Sequence, residues 1–195
     1  MSVFVAEELS EVLNTKVVIG RINMGLLNRI IIDDVLLDDQ SGQEMLKVTR
    51  LSAKFDIMPF FKGKISISSV QLFGFNINLR KETPDSPPNF KFVLDAFASK
   101  DTVKKENSLD LRINSILIRR GRMSYHVLSE EETPGKFNAK HIQLQNIIAN
   151  ISLKALSKDS LNLGIKRLSL DEKASGFSLK KMSLKLVAND KQTNI

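Results

Sequence analysis

The sequence predicts a mainly β fold: a long antiparallel sheet with one persistently aliphatic face, a short N-terminal helix, and one further helix in a long connection. Three observations predict it. Helical apolar spacing is confined to two short stretches, an eight-residue strand pattern recurs through the remainder, and short polar turns punctuate that remainder. The 195 residues carry 29 Lys plus Arg against 22 Asp plus Glu, a net charge of +7, and 42% are apolar. That apolar share excludes a disordered chain, which cannot offset the entropy of ordering. No apolar run approaches the roughly 18 residues of a membrane-crossing helix. The opening Met-Ser-Val-Phe-Val-Ala-Glu-Glu lacks the cationic and apolar regions of a secretory signal.

Residues 1–14 read as an amphipathic helix, with Val5, Leu9, Val12 and Leu13 on one side and Glu7, Glu8, Ser10 and Glu11 elsewhere. Residues 15–80 form a first β repeat, with hairpin signals at Asp39-Gln-Ser-Gly42 and Lys62-Gly63-Lys64. Residues 81–108 are a connection. Pro84-Asp-Ser-Pro-Pro88 must turn, because proline fixes φ and lacks a donor, and Asn89 to Ser99 then spaces Phe90, Val93, Leu94 and Phe97 as a helix before the polar stretch Lys100 to Ser108. Residues 109–195 hold further β repeats, with a turn at Thr133-Pro-Gly135.

The recurring strand pattern is apolar, polar, apolar, polar, polar, apolar, polar, apolar. Chance supplies roughly 0.7 matches at this composition; five occur, beginning at Leu46, Ile65, Phe137, Leu163 and Phe177. The doubled polar pair breaks the two-residue alternation and would turn a continuing strand inside out. Either a β-bulge absorbs the extra residue and keeps one face apolar, or the pair marks a bend between two short strands. A longer alignment, Ile65 to Leu79 against Leu111 to Tyr125 at a spacing of 46, points to a unit stacked on its neighbour. Strands sharing a pattern within an ordinary sandwich are the alternative.

Chemistry-bearing constellations are few. With no Cys there is no disulfide, thiolate site or Cys nucleophile. His126 and His141 stand fifteen apart with no metal-binding motif between them, so neither a metal site nor a cofactor is expected. Asp33-Asp34 and Asp38-Asp39 lack the offsets of a calcium loop and read as polar strand ends before a turn. No serine elbow or phosphate loop occurs, and no enzyme activity is expected. Lys47, Arg50, Lys54, Lys62, Lys64, Arg112, Arg119, Arg120, Arg122, Lys166, Arg167, Lys180 and Lys181 are spread over polar strand positions. Without Trp and with one Tyr there is no stacking platform for nucleic acid. A solvated face, with attraction for anionic headgroups as a secondary use, is the expected role.

The segments Leu9 to Ile22, Ile32 to Leu46, Leu51 to Phe55 and Phe61 to Phe73 resemble, in order and spacing, the N-terminal region of the AsmA/TamB family. With Asn89 to Ser99 and Ile113 to Gly121, the resemblance narrows to the large TamB-domain proteins of Bacteroidetes-type bacteria. It covers essentially the whole chain. It implies an elongated, curved, open β-groove lined with apolar side chains, which carries phospholipid between the inner and outer membranes. It also implies a cell-envelope location at the periplasmic face of the inner membrane. Family members carry an N-terminal anchor helix and are far longer, so the chain is expected to be a segment from just after that anchor.

In this reading Ile65, Ile67, Val70, Leu72, Ile113, Ile116, Ile118, Leu163, Ile165, Leu168 and Leu170 face phospholipid acyl chains. The alternatives are a closed apolar core with no room for a ligand, an envelope scaffold that assists an outer-membrane assembly or secretion partner by protein contacts, and a basic nucleic-acid binder.

Overall fold

The computed structural model describes residues 2–26, 28–55, 67–98, 114–156, 160–189 and 193–194. Helix α1 (Ser2–Leu13) precedes β1 (Val17–Gly25), β2 (Arg29–Asp38), β3 (Glu44–Phe55) and β4 (Ile67–Lys81). Helix α2 (Lys91–Ala98) lies in the connection to β5 (Ser115–Val127), followed by β6 (His141–Leu156), β7 (Ser160–Glu172), β8 (Ser178–Asn189) and the two-residue β9 (Thr193–Asn194). All strands belong to one mixed sheet in sequence order from β1 to β9, and it is not closed.

Local chemistry sets the helix ends. Asn14, at φ 48°, lets the Thr15 N–H reach the Ser10 carbonyl and its own N–H the Glu11 carbonyl, a left-handed cap that satisfies two orphan acceptors of α1. The Ser10 hydroxyl then accepts from the Val17 N–H at 3.0 Å, which fixes where β1 begins. Asp39 fixes the β2–β3 hairpin. Its Oδ1 accepts from the N–H groups of Ser41 and Gln43, and Gly42 takes φ 77°. Its Oδ2 accepts from Arg80 at 2.6 Å and Asn89 at 3.1 Å, tying the hairpin to the start of the crossover that carries α2. Burial pushes the Asp39 carboxyl up, yet the hydrogen bonds from Ser41, Asn89 and Gln43 outweigh it and hold the group below the usual carboxylate range.

The sheet departs from the expected all-antiparallel arrangement at one place. β4 and β5 pair in parallel, with Ser69 opposite Ser115 and Lys81 opposite Val127. Antiparallel neighbours accept tight turns, whereas parallel ones need a crossover of a dozen or more residues, and the α2 connection supplies it. The offset of this register is 46 throughout, so the described parts of the two aligned segments of the sequence repeat are direct neighbours in the sheet.

The doubled polar pair Thr49-Arg50 resolves as an inversion within a continuous strand, whereas on β4 the inversion falls at Phe73-Gly74 and not at the pattern's Ser68-Ser69. On β1 to β5 the pairs Gly20-Arg21, Asp33-Asp34, Thr49-Arg50, Phe73-Gly74 and Arg119-Arg120 align across the sheet with no register shift at that level. Each strand reverses its alternation where its neighbour does. Asp34, Gly74 and Arg120 take φ of 57°, 63° and 55° there. From β5 to β8 the compensation is by β-bulges, with register shifts on either side of Gly121, Lys166-Arg167 and Lys180-Lys181 and with Asn146 at φ 54°. Two matches to the pattern run past their strands. Phe137 and Phe177 are exposed in the segments that lead into β6 and β8. The predicted helix from Asn89 to Ser99 is observed as Lys91–Ala98. The turn at Lys62-Gly63-Lys64 and the stretch Lys100 to Ser108 lie outside the described residues.

Gly121 illustrates how tightly the inversion is packed. A Cβ there would collide with the Phe75 ring and stand 3.0 Å from Ile147 Cβ, so the ring lies over the glycine. Gly121→Ala is expected to lower stability in urea unfolding by about 1–3 kcal/mol, the cost of overpacking a filled site. Phe75→Leu in the same chain should recover part of that loss.

Candidate functional site: the apolar face

Because the inversions coincide, one face stays apolar along the whole strand length. Two rows cross all eight long strands as unbroken register partners. The first is Ile22, Ile32, Leu51, Leu72, Ile118, Ala149, Leu168 and Met182. The second is Met24, Ile30, Ala53, Val70, Ile116, Ile151, Ile165 and Leu184. With strands about 4.8 Å apart, each row runs roughly 34 Å.

The two halves of this face differ in cover. Near α1 and α2, Ala6 packs with Val17, Ile19, Leu37 and Met45, and Phe90, Phe92 and Val93 close over them. In the middle Val48, Phe75 and Ile147 are buried against one another. The second row lies farther from the helices. Its members with described burial are half-buried, except Met24, which is 76% exposed at the β1 edge. Among the described residues no large side chain is fully buried, and no second layer packs over this row.

Of the residues expected to line a trough, Val70, Leu72, Ile116, Ile118, Ile165 and Leu168 lie in the two rows. Leu163, paired with Leu153 and Leu186, and Leu170, paired with Leu179, continue the same face. Ile67 joins it through a register shift that sets it opposite Phe55, with Ser68 as the extra residue. Ile65 and Ile113 lie outside the described residues.

The opposite face is polar at the line of inversion. Arg21, Asp33, Arg50, Phe73 and Arg119 are lateral neighbours there. Arg50 donates to Asp33 from Nε at 2.6 Å and from a terminal nitrogen at 3.2 Å. Together with burial working the other way, this pairing holds the Asp33 carboxyl below the usual carboxylate range. The Arg120 guanidinium lies 5.1 Å from the Phe73 ring centroid, a cation–π contact. Arg119, Lys166, Arg167, Lys180 and Lys181 are exposed, as the sequence pattern implies for doubled polar pairs.

A buried carboxylate closes the face at the β7 end. Glu172 is paired with Leu144 and only 3% exposed, and its oxygens accept from the N–H groups of Gln143, Ala174 and Ser175 and from the Ser175 hydroxyl. Burial pushes its pKa up, but these donors prevail and bring it to about 2. Sequence reasoning missed this role, since a single Glu before a turn carries no pattern.

It also missed a cluster at the β5–β6 junction. His126 and His141 are register partners with their Nδ1 atoms 3.0 Å apart, and Glu132 approaches His126 at 3.8 Å. The only sequence signal is that residues flanking one connection can meet.

No family model matches the chain, and no curated protein matches it.

Because the Glu172 pKa is depressed in the fold, its stabilising contribution is full above about 4.5 and is lost as pH falls towards about 2. Glu172→Gln sets an amide against backbone donors and is expected to cost about 1–3 kcal/mol near neutrality. Paired urea titrations should show that difference shrinking through the same acid window.

Proposed function

We propose that this chain is a lipid-binding segment of an AsmA/TamB-like envelope protein, in which phospholipid acyl chains lie on the apolar sheet face and headgroups stay in water at its rim. The reading places it at the periplasmic face of the inner membrane, conducting lipid towards the outer membrane without a catalytic group or cofactor. The observation that carries it is the second row, from Met24 to Leu184, which is aliphatic on all eight strands and has no protein layer over it among the described residues. A closed core would bury such a row, since aliphatic surface left in water forfeits about 25 cal/mol per Å².

The proposed mechanism is a lowered barrier. Each methylene of an acyl chain exposed to water costs about 0.8 kcal/mol, so a continuous apolar surface lets a chain move sideways without paying that cost anew. The cationic residues at the line of inversion, on the opposite face, would draw the segment towards anionic membrane surfaces.

A second reading, an envelope scaffold that assists an outer-membrane assembly partner, is favoured by the β1 edge. Val18 is 41% and Met24 76% exposed on that strand, and an unpaired edge accepts an added strand.

Ile116→Asp separates these readings. In an uncovered row the variant is expected to stay folded by circular dichroism, with a melting point within a few degrees of the parent, and to lose co-purifying phospholipid in native mass spectrometry. Parent protein free of lipid, or a variant that unfolds as a packed core with an unpaired buried charge must, would remove the lipid reading. Partner capture unchanged by Ile116→Asp would support the scaffold.

A further inference from the structure

The junction of β5 and β6 brings together three metal-ligating side chains that the apolar face does not use. We propose that His126, His141 and Glu132 bind one zinc-class divalent ion through the two Nδ1 atoms and a carboxylate oxygen. All three donor atoms lie within 4.8 Å of one another. Donors at about 2.0–2.1 Å from a tetrahedral ion stand about 3.3 Å apart. The observed separations, 3.0 Å between the imidazoles and 3.8 Å from His126 to Glu132, lie on either side of that value. The imidazole pair opens by a few tenths of an ångström, and the carboxylate closes by about half an ångström on His126 and, from within 4.8 Å, by up to about 1.5 Å on His141. The closing movement falls on the side chain best able to make it, because Glu132 is 62% exposed whereas His141 is buried.

The tautomer fits as well. His141 Nε2 stands 2.9 Å from the Glu130 carbonyl oxygen, which can only accept, so the proton of neutral His141 resides on Nε2 and its Nδ1 offers a lone pair. A ligand imidazole oriented by a carbonyl on its other nitrogen is the usual outer-shell arrangement of a metal site. Without an ion, the His126 Nδ1–H donates to that lone pair. With one, the His126 proton shifts to Nε2, which frees its Nδ1 as a ligand. Two imidazoles and a carboxylate select zinc, cobalt or nickel over magnesium and calcium, which prefer oxygen donors alone.

The surroundings leave room for this charge. Arg80, the neighbour of His126 on β4, is engaged by Asp39 at 2.6 Å, and Lys140 by Glu130 at 2.6 Å. A cavity of about 190 Å³ borders His141 and Glu132 and can admit water as a fourth ligand. An ion here would clamp the 128–140 connection onto the ends of β5 and β6.

Calorimetric titration of the full, untagged chain, stripped with chelator, tests the site with Zn²⁺ and Mg²⁺ at neutral pH. Saturable uptake of one equivalent of Zn²⁺ and none of Mg²⁺ is expected, with Co²⁺ giving the intense visible absorption of a tetrahedral ion. His126→Gln should weaken Zn²⁺ binding on the order of 100-fold and Glu132→Gln about 10-fold, with the far-ultraviolet circular dichroism unchanged. Uptake that does not saturate at one equivalent, or equal affinity in the parent and both variants, would overturn the proposal. Both substituted side chains retain some exposure, and the circular dichroism checks that the variants keep the fold.

Discussion

The sheet depends on one constraint: an alternation of period two must reverse on every strand without the aliphatic rows changing face. A lone reversal would set an aliphatic row against solvent on one side of it and polar side chains against aliphatic ones on the other. The chain avoids this by giving every long strand two consecutive residues directed away from the apolar face. On β1 to β5 these pairs stand at the same level, so hydrogen-bond register is preserved. Farther along, bulges achieve the same end at the cost of register. The left-handed backbone at Asp34, Gly74, Arg120 and Asn146 is where the chain absorbs the geometry, and Asp and Asn tolerate that region better than most residues.

That arrangement explains why so few residues are buried outright. The described cores are two small groups, one beneath the helices and one around Phe75. Each large aliphatic side chain buried in them contributes about 1.5–3 kcal/mol. Polar hubs supplement them at the periphery, where Asp39 and Glu172 gather donors from several segments. These carboxylates hold turns and connections in place at the periphery of the sheet. Helices α1 and α2 cover one side of the apolar face, and among the described residues no second layer packs over the other side.

Much of this was legible in residue order. The five pattern matches marked strands and located the breaks in alternation at Thr49-Arg50, Lys166-Arg167 and Lys180-Lys181, because side-chain direction on a strand follows from spacing alone. The 46-residue repeat named two segments that prove to be adjacent. It gave no sign that they run parallel, since similarity between strands is silent about direction. Phe137 and Phe177 fit the pattern while lying in exposed connections, because a periodic match does not know where pairing stops. The histidine cluster left only the weak signal of two histidines flanking one connection, as its members are brought together by the course of the 128–140 connection rather than by a fixed offset.

By itself, then, the sequence determined the element types, many of the aliphatic positions and the need for a compensating break where a doubled polar pair interrupts the alternation, all of which follow from local stereochemistry and composition. Only the tertiary structure decided between a bulged continuous strand and two short ones, the parallel β4–β5 pairing, and whether the aliphatic face is covered. Those outcomes depend on register and on contacts between residues far apart in the chain, and such contacts are set by which neighbours a strand finds rather than by its own pattern.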